Sequence, residues 1–357
     1  MAPSEKREFS VEKGGGMGQR LVIGTRKSKL ALTQSEMVAA ELRAMHPGLN
    51  VELQHITTKG DQVLDVALSA IGDKGLFVKE LEVALLEGQV DICVHSGKDM
   101  PSLLPDGLTL ATFPRRATPY DVIVLPAHAD NPNAPQLAVL DDHTALPSGA
   151  RIGTSSLRRA CQLRAARPDL QLLDVRGNVD TRLRKLAEGQ YEAIVLAAAG
   201  LERLGLLQTA VGDQGMPMEL NGDHFTVFTL APGRMLPAVA QGALAIEARS
   251  HDMPTLQLLA VLDDAPTRAA VLAERAFLRR LEGGCQVPIA AHARVQGDSV
   301  QLSGMVGSLD GSRTIYGQLT GHRSDPEPIG TMLAERLIER GAEQILAELR
   351  ERAEAGL

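Results

Sequence analysis

Arg151-Ile152-Gly153-Thr154-Ser155-Ser156-Leu157-Arg158-Arg159 is the stretch on which the fold turns. An apolar run ends in glycine, three hydroxyl residues follow, and a helical pattern starts at once, which predicts a β-strand turning into a helix N-terminus. Two arginines in a first helical turn are locally unfavourable, because the helix dipole prefers acidic residues there, so they point to an anionic partner. Leu172–Val175 reads as the next strand and ends in Arg176-Gly177-Asn178; Ala193–Leu196 reads as a third. The helix between them is expected to bury Val179, Leu183, Leu186 and Ala187, turning Arg182 to another side. Strands alternating with helices predict an α/β lobe.

The same unit stands upstream. Leu21-Val22-Ile23 runs through Gly24-Thr25-Arg26-Lys27-Ser28 into a helix, with Ser28 as N-cap and a core stripe of Leu30, Met37, Val38, Leu42 and Met45. Free backbone amides at such a turn suit an anion, and Arg26 adds a fixed charge. Val51–Thr57 is a strand; Ala70–Gly75 is a glycine-bearing loop that either closes over a site or merely connects, and Lys74 and Phe77 lie in and beside it. A helix with Phe77, Leu81, Ala84 and Leu85 on one face follows, then the apolar strand Asp91–Val94 with Cys93 in the core. That strand delivers Lys98 and Asp99 to its carboxyl end, where open α/β sheets bind ligands. A carboxylate beside an ammonium reads either as a solvated pair or as a positioned acid with its orienter.

Pro101, Pro105, Pro114 and Pro119 mark linker-like sequence before a strand at Val122–Leu125. Pro126–Gly149 reads as a surface insertion, Gly205–Asn221 as a poorly regular connection, and Leu236–Ile246 as a return to the first lobe. No internal repeat is evident. Thr267–Leu281 then forms a helix with Ala270, Val271, Phe277, Leu278 and Leu281 on one face, stopped by Gly283-Gly284. Alternating strands at Ile289–Val295, Val300–Val306 and Thr314–Leu319 and a closing helix around Leu333 and Leu337 predict a small α+β domain. The expected division is a disordered tail at 1–19, lobe 1 at 20–115 with about 238–262, lobe 2 at 116–237, and a C-terminal domain at 263–357. Cys285 falls in the loop after the glycine stop. A cysteine there is either a small hydrophobe or an accessible thiol able to act as nucleophile or attachment point.

The 357 residues are 44% hydrophobic and 23% charged, those of a soluble globular protein, and no apolar run is long enough to span a membrane. Cys93, Cys161 and Cys285 are odd in number and far apart, giving neither a disulfide framework nor metal-ligand spacing, so a reducing cytoplasm and no metal are expected. The net charge of −7 disfavours a nucleic-acid binder. Yet nine arginines and lysines fall between Arg151 and Lys185 against Asp169, Asp174 and Asp180 alone. With no Trp and few other aromatics to stack bases, this basic island suits a small polyanion.

Four long stretches, Lys74–Glu82, Gly153–Arg159, Arg176-Gly177-Asn178 and Leu281–Pro288, resemble the hydroxymethylbilane synthase (porphobilinogen deaminase) family, and the likeness runs from Leu21 onward. The resemblance implies two lobes like those of periplasmic binding proteins and a small third domain. It also implies a dipyrromethane cofactor held on Cys285 by a thioether, which primes the polymerisation of porphobilinogen into a hexapyrrole before a linear tetrapyrrole is hydrolysed off. By the family motif Asp99 is catalytic, stabilising the pyrrole cation formed as ammonia leaves. Lys98, Asp99, Thr154, Ser155, Arg158, Arg159, Arg176, Gly177, Asn178, Gln241 and Gly242 would hold the cofactor. Arg26, Ser28, Arg158, Arg176 and Arg182 would hold the substrate's acetate and propionate arms. A cytoplasmic monomer acting on a small molecule, with no nucleic-acid or membrane partner, is expected. Gly97, Met100 and Ala240 depart from the family pattern, and Gly97 is expected to loosen the end that carries Asp99. A non-catalytic two-lobed binder of an oxyanion or organic acid is the alternative; it has no use for the Cys285 loop.

Overall fold

Three β-sheets organise the computed structural model, which describes residues 19–62, 78–127, 146–208, 215–282 and 287–354. The tail at 1–18, Lys74, Phe77, Cys285 and most of the 126–149 insertion lie outside the described residues. The first sheet holds β1 (Arg20–Thr25), β2 (Asn50–His55), β3 (Ile92–Ser96), β4 (Leu108–Thr112) and β11 (Leu244–Arg249) in the order β2-β1-β3-β11-β4. The second holds β5 (Asp121–Pro126), β6 (Arg151–Gly153), β7 (Gln171–Leu173), β8 (Ala193–Ala197), β9 (Met216–Leu220) and β10 (Asp223–Leu230) in the order β7-β6-β8-β5-β10-β9. In each, three parallel strands are followed by an antiparallel one that has just crossed from the other lobe: β11 beside β3, and β5 beside β8. The lobes thus share a strand order that no sequence repeat announces.

Two of these strands correct the sequence reading. β4 lies within the proline-marked stretch, because its partner β11 is supplied from more than a hundred residues away. β9 lies within the supposed irregular connection and pairs with β10 through Asn221-Gly222, both at positive φ (54° and 89°). Asn-Gly between apolar runs is a strong hairpin signal and would have found it.

Helices cover the sheets. α1 (Lys29–Met45) is capped by Ser28, whose hydroxyl accepts from the Ala31 amide at 3.3 Å. Its buried face is Gln34, Ser35, Val38, Ala39 and Leu42, whereas Met37 and Met45 are 48% and 56% exposed. The expected stripe is therefore rotated toward polar residues that find partners. Ser35 donates to Thr25 Oγ1 at 2.8 Å and Gln34 to Ser96 Oγ at 3.0 Å, tying the helix to the ends of β1 and β3. α2 (Lys59–Gln62) and α3 (Lys79–Leu86) follow, and α3 buries Leu81, Ala84 and Leu85. In lobe 2 lie α4 (Leu157–Ala166), α5 (Val179–Ala187) and α6 (Ala198–Arg203). α5 buries Leu183 and Leu186, but Val179 is only partly covered and Ala187 is exposed, since nine residues present too narrow a face to bury all four.

After α7 (Met253–Leu259), α8 (Ala265–Arg280) leads into the third sheet, β12 (Ile289–Gln296), β13 (Ser299–Gly307) and β14 (Thr314–His322), closed by α9 (Pro326–Leu337) and α10 (Glu343–Glu354). Phe277 of α8 is fully enclosed with Leu302, Leu333 and Leu337. The same apolar cluster takes in Met100, Phe113 and Ala243 from lobe 1, so Met100 packs under the third domain. Each such large side chain contributes about 1.5–3 kcal/mol by leaving water.

Where the two crossings meet, Ala117 N donates to Gly242 O at 3.1 Å. Gly242 has φ +86°, and a Cβ there would stand 2.6 Å from Ala117 O, so only glycine fits. Glu274 of α8 is completely buried behind this point. It accepts from Arg116 Nη1 at 2.7 Å and Nη2 at 3.0 Å, from Ala240 N at 2.6 Å and from Ala293 N at 2.7 Å. One carboxylate thereby joins both crossings to the third domain, and such a charge is tolerated in the interior because its oxygens are satisfied.

His292 sits beside this knot, 6% exposed and edge-on to Tyr120. Burial lowers its pKa to about 4; Glu274 opposes the shift, while Arg116 and Arg294 assist it. An unfolded histidine takes up its proton near pH 6.5, so between about 6.5 and 4 the unfolded chain binds a proton that the folded chain refuses. Stability should fall as pH drops through that window, by on the order of 3 kcal/mol for this group. Denaturant titrations at several pH values should show the slope, and His292→Gln should flatten it.

Candidate active site

β3 runs out in a tight 3-10 turn, Gly97–Asp99, fixed where Gly97 N donates to Ala243 O at 2.9 Å. A Cβ on Gly97 would lie 3.1 Å from the Ala240 Cβ and 3.2 Å from its carbonyl oxygen. Ala240 itself holds φ +57°, a left-handed conformation that costs an ordinary residue about 1–2 kcal/mol, and its amide is anchored on Glu274. Two of the departures from the family pattern therefore touch: the small residue at 97 leaves room for the methyl group at 240. The close packing and the backbone bond argue against the loosening expected of Gly97.

The turn presents Lys98 and Asp99. Asp99 is exposed and has no hydrogen bond or ion pair among the described residues, although its charge acts on Lys98. Lys98 keeps some exposed surface but is walled in by protein. Burial lowers its pKa to about 8, Asp99 and Asp121 act against that shift, and Arg159 and Arg158 add to it. Lobe 1's ammonium thus lies within electrostatic reach of lobe 2's arginines.

Those arginines open α4, which Ser156 caps by accepting from the Arg159 amide. Their anionic partner is inside the chain. Asp121, at the start of β5 and fully buried, accepts from Arg158 Nη1 at 2.7 Å and Nη2 at 3.3 Å, and from Arg159 Nε at 3.0 Å and Nη2 at 2.7 Å. Arg158 also donates to Leu236 O at 2.9 Å and Arg159 to Val195 O at 2.8 Å. Burial alone would raise the Asp121 pKa; the two guanidinium groups overcome it and hold the carboxyl far below the usual range. Asp121 does not stand out in the sequence, since it lies thirty residues before the basic island; an acidic residue opening an apolar strand is its one signal. Two buried cations on one carboxylate leave a net positive charge and N–H groups still free to meet a second anion.

Gln241, expected among the cofactor contacts, is 1% exposed and turned inward, donating to Pro119 O at 2.8 Å and Asp121 Oδ1 at 3.1 Å. Gly242 is likewise enclosed at the crossing. Thr154 is buried and accepts from the Ser156 amide at 3.2 Å. Ser155 Oγ donates to Val175 O at 3.0 Å and accepts from Val175 N at 3.1 Å, locking the β6 turn to the loop that carries Arg176. The Arg176 guanidinium has no hydrogen-bond partner among the described residues. Gly177, at φ +104°, offers its carbonyl to Arg182 Nε at 2.8 Å, and Asn178 occupies the N-cap of α5 without a capping bond. Burial, then Arg159 and Arg176, lower the Arg182 pKa to about 10, with Asp99 acting in the opposite sense.

Asp99, Lys98, Arg159, Arg176 and Arg182 therefore share one electrostatic environment drawn from three strand ends. Arg26 and Ser28 stand at the end of β1 in the other lobe. The lobes also touch there, with Lys29 Nζ 3.9 Å from Asp180 Oδ2 across the gap. A guanidinium array of this kind can bind several carboxylates bidentately, while a free carboxylate among them can stabilise a cation brought in between.

Comparison with known proteins gives family-level matches over most of the chain. A family model described as porphobilinogen deaminase, dipyromethane cofactor binding domain, matches residues 21–257, and one described as porphobilinogen deaminase, C-terminal domain, matches 268–339. The chain is 53% identical to a porphobilinogen deaminase of Roseiflexus sp. (strain RS-1) over 93% of its own length and 100% of that protein's. It is 48% identical to the porphobilinogen deaminase of Brevibacillus brevis, over 92% of this chain and 96% of the other.

Asp121→Asn should cost about 3–5 kcal/mol of stability, since it leaves two buried guanidinium groups facing a neutral amide. The wild-type contribution is full above about pH 4 and declines only below it, because the folded pKa is the lower one. Urea unfolding of the variant near pH 7 gives the loss directly.

Proposed function

The chain belongs to the porphobilinogen deaminase family, and from that premise we infer that it deaminates porphobilinogen, joins the units head to tail on a dipyrromethane primer and releases hydroxymethylbilane. The observation that carries the assignment of roles is an exposed carboxylate, Asp99, without a hydrogen-bond partner among the described residues and within electrostatic reach of Lys98 and Arg182, which also feel Arg159 and, at Arg182, Arg176. A passive binder of organic acids has no use for a free carboxylate at the centre of its cations.

The donor set fits the cofactor. A dipyrromethane carries acetate and propionate groups, and the free Arg176 guanidinium and the remaining N–H groups of Arg158 and Arg159 match them. Lys98, Thr154, Ser155, Gly177 and Asn178 complete the proposed holding set, and Cys285 is the proposed attachment point. Gln241 and Gly242 serve it indirectly, through Asp121 and the crossing. When bound, the cofactor supplies the nucleophilic pyrrole end from which the product chain grows.

The chain's own groups do the rest. Arg26 and Ser28 on lobe 1, with Arg176 and Arg182 on lobe 2, orient the carboxylate arms of the incoming pyrrole, and planar guanidinium forks fix its rotation as well as its position. Asp99 faces the ring, accepts from its N–H and offsets the positive charge that develops as ammonia departs. Lys74 and Phe77 belong to a loop proposed to cover the cleft. We place this work in a cytoplasmic monomer, with lobe 1 (20–115 and about 238–262) and lobe 2 (116–237) moving about the crossings while the third domain carries the cysteine. Among the described residues no helix is long and apolar enough to cross a membrane.

Asp99→Asn keeps the size of the side chain and removes its charge. Losing one well-placed stabilising group costs roughly 3–4 kcal/mol, about two to three orders of magnitude in rate. Single-turnover deamination, measured on variant protein shown to carry cofactor, checks this. Near-wild-type chemistry would remove Asp99 from the mechanism.

A further inference from the structure

One face of α4 is braced by the third domain. Arg164 Nη1 donates to Leu309 O at 2.5 Å, across the tip of the β13–β14 hairpin. Gly311, at φ +73°, lies so close that a Cβ there would stand 2.6 Å from Cys161 O and 2.8 Å from Ala165 N, both on the α4 backbone. A Cβ on Gly307 would overlap the Cys161 sulfur. Cys161, Leu236, Ala290 and Met305 form a separate buried apolar cluster at this junction. The tip is stiff in itself: Asp310 Oδ1 accepts from Ser312 N at 3.1 Å and Ser312 Oγ at 2.8 Å as well as from Ser308 Oγ, and Ser308 N donates to Arg313 O at 2.9 Å. On a neighbouring side, Gln162 exchanges two hydrogen bonds with the Leu236 backbone, at 3.0 and 2.7 Å, and Leu236 O also accepts from Arg158.

We propose that the Ser308–Arg313 hairpin tip is a positioning element for the reaction, with Gly307 and Gly311 as its positioning residues: pressed against α4, it sets the register at which Arg158 and Arg159 present their remaining N–H groups to a carboxylate. Asp121 fixes the guanidinium pair and the hairpin fixes the helix that carries it. A helix held at both points cannot slide by the fraction of an ångström that would spoil bidentate geometry. The proposal rests on the reading of these arginines as holders of carboxylates.

The test uses cofactor-loaded enzyme, with loading verified by intact mass, and compares KM, kcat and the unfolding midpoint. Gly307→Ala should push α4 outward and raise KM for porphobilinogen about tenfold, the scale of one weakened charge-assisted contact. Adding Cys161→Ala removes the obstructing sulfur and should return KM to within about twofold of wild type, a rescue that lost stability alone does not produce. Ile329→Ala, in the same domain but against Gly321 and remote from α4, should lower the midpoint at least as far while leaving KM unchanged. Should Gly307→Ala fail to fold, Arg164→Met, which only deletes the bond to Leu309, should still raise KM. A wild-type KM in Gly307→Ala or Arg164→Met, or no rescue in the double variant, overturns the brace. Arg158→Lys separates the two ideas: a raised KM there with none in the hairpin variants overturns the brace and spares the site reading, whereas a normal KM in Arg158→Lys overturns the site reading and the brace with it.

Discussion

One buried carboxylate, Asp121, lets two arginines stand side by side in the first turn of a helix. Without it, Arg158 and Arg159 would repel each other, oppose the helix dipole and have no reason to leave water. With it, they are desolvated, oriented and still net positive. Asp121 occupies the first residue of the strand that has just crossed from lobe 1, so the ion cluster also pins a crossing. Gln241, from the return crossing, donates to the same oxygen. Glu274 repeats the device one layer deeper, satisfying Arg116 and two backbone amides. Both lobes and the third domain are thereby referenced to a pair of fully buried acids.

This arrangement explains how an acidic protein maintains a cationic cleft. Much of the basic island is paired within the fold: Arg151 with Glu192, Arg167 with Asp169, and Arg158 and Arg159 together with the one carboxylate of Asp121, which leaves that cluster net positive. On the proposed reading a ligand meets the residual charge of that cluster together with Arg176, Arg182 and Lys98, around the exposed Asp99. Burial has already weakened the protonation of Lys98 and Arg182, which makes a carboxylate ligand more welcome there. In the proposed site, specificity for a molecule with several carboxylate arms rests on the number and geometry of these groups rather than on total charge.

Much of the architecture was legible because local patterns carry it. The strand-to-helix turns at Ser28 and Ser156, the three-stranded meander and the apolar face of α8 all follow from short-range periodicity and capping. Strands β4 and β9 escape apolar periodicity, since one is completed by a distant partner and the other is marked only by its Asn221-Gly222 turn. The rotated face of α1 escaped because Gln34 and Ser35 are buried as hydrogen-bonding groups, which a count of apolar residues cannot anticipate. At the site, the basic residues stood out in the sequence, but their internal acid did not, because pairing across the chain is a property of the folded topology. The same limit applied to Gln241, whose inward orientation only the crossing reveals.

In the proposed mechanism this cleft holds a growing chain on a covalently attached primer rather than a passing anion. Intact mass spectrometry of freshly purified protein, followed by peptide mapping, tests it most directly. The account predicts a polypeptide heavier by one dipyrromethane, the increment confined to the peptide containing Cys285, and further pyrrole-sized steps on brief exposure to porphobilinogen. Cys93 and Cys161 are fully buried and should stay unmodified. Active protein with the bare polypeptide mass, or with the increment on either buried cysteine, would contradict it.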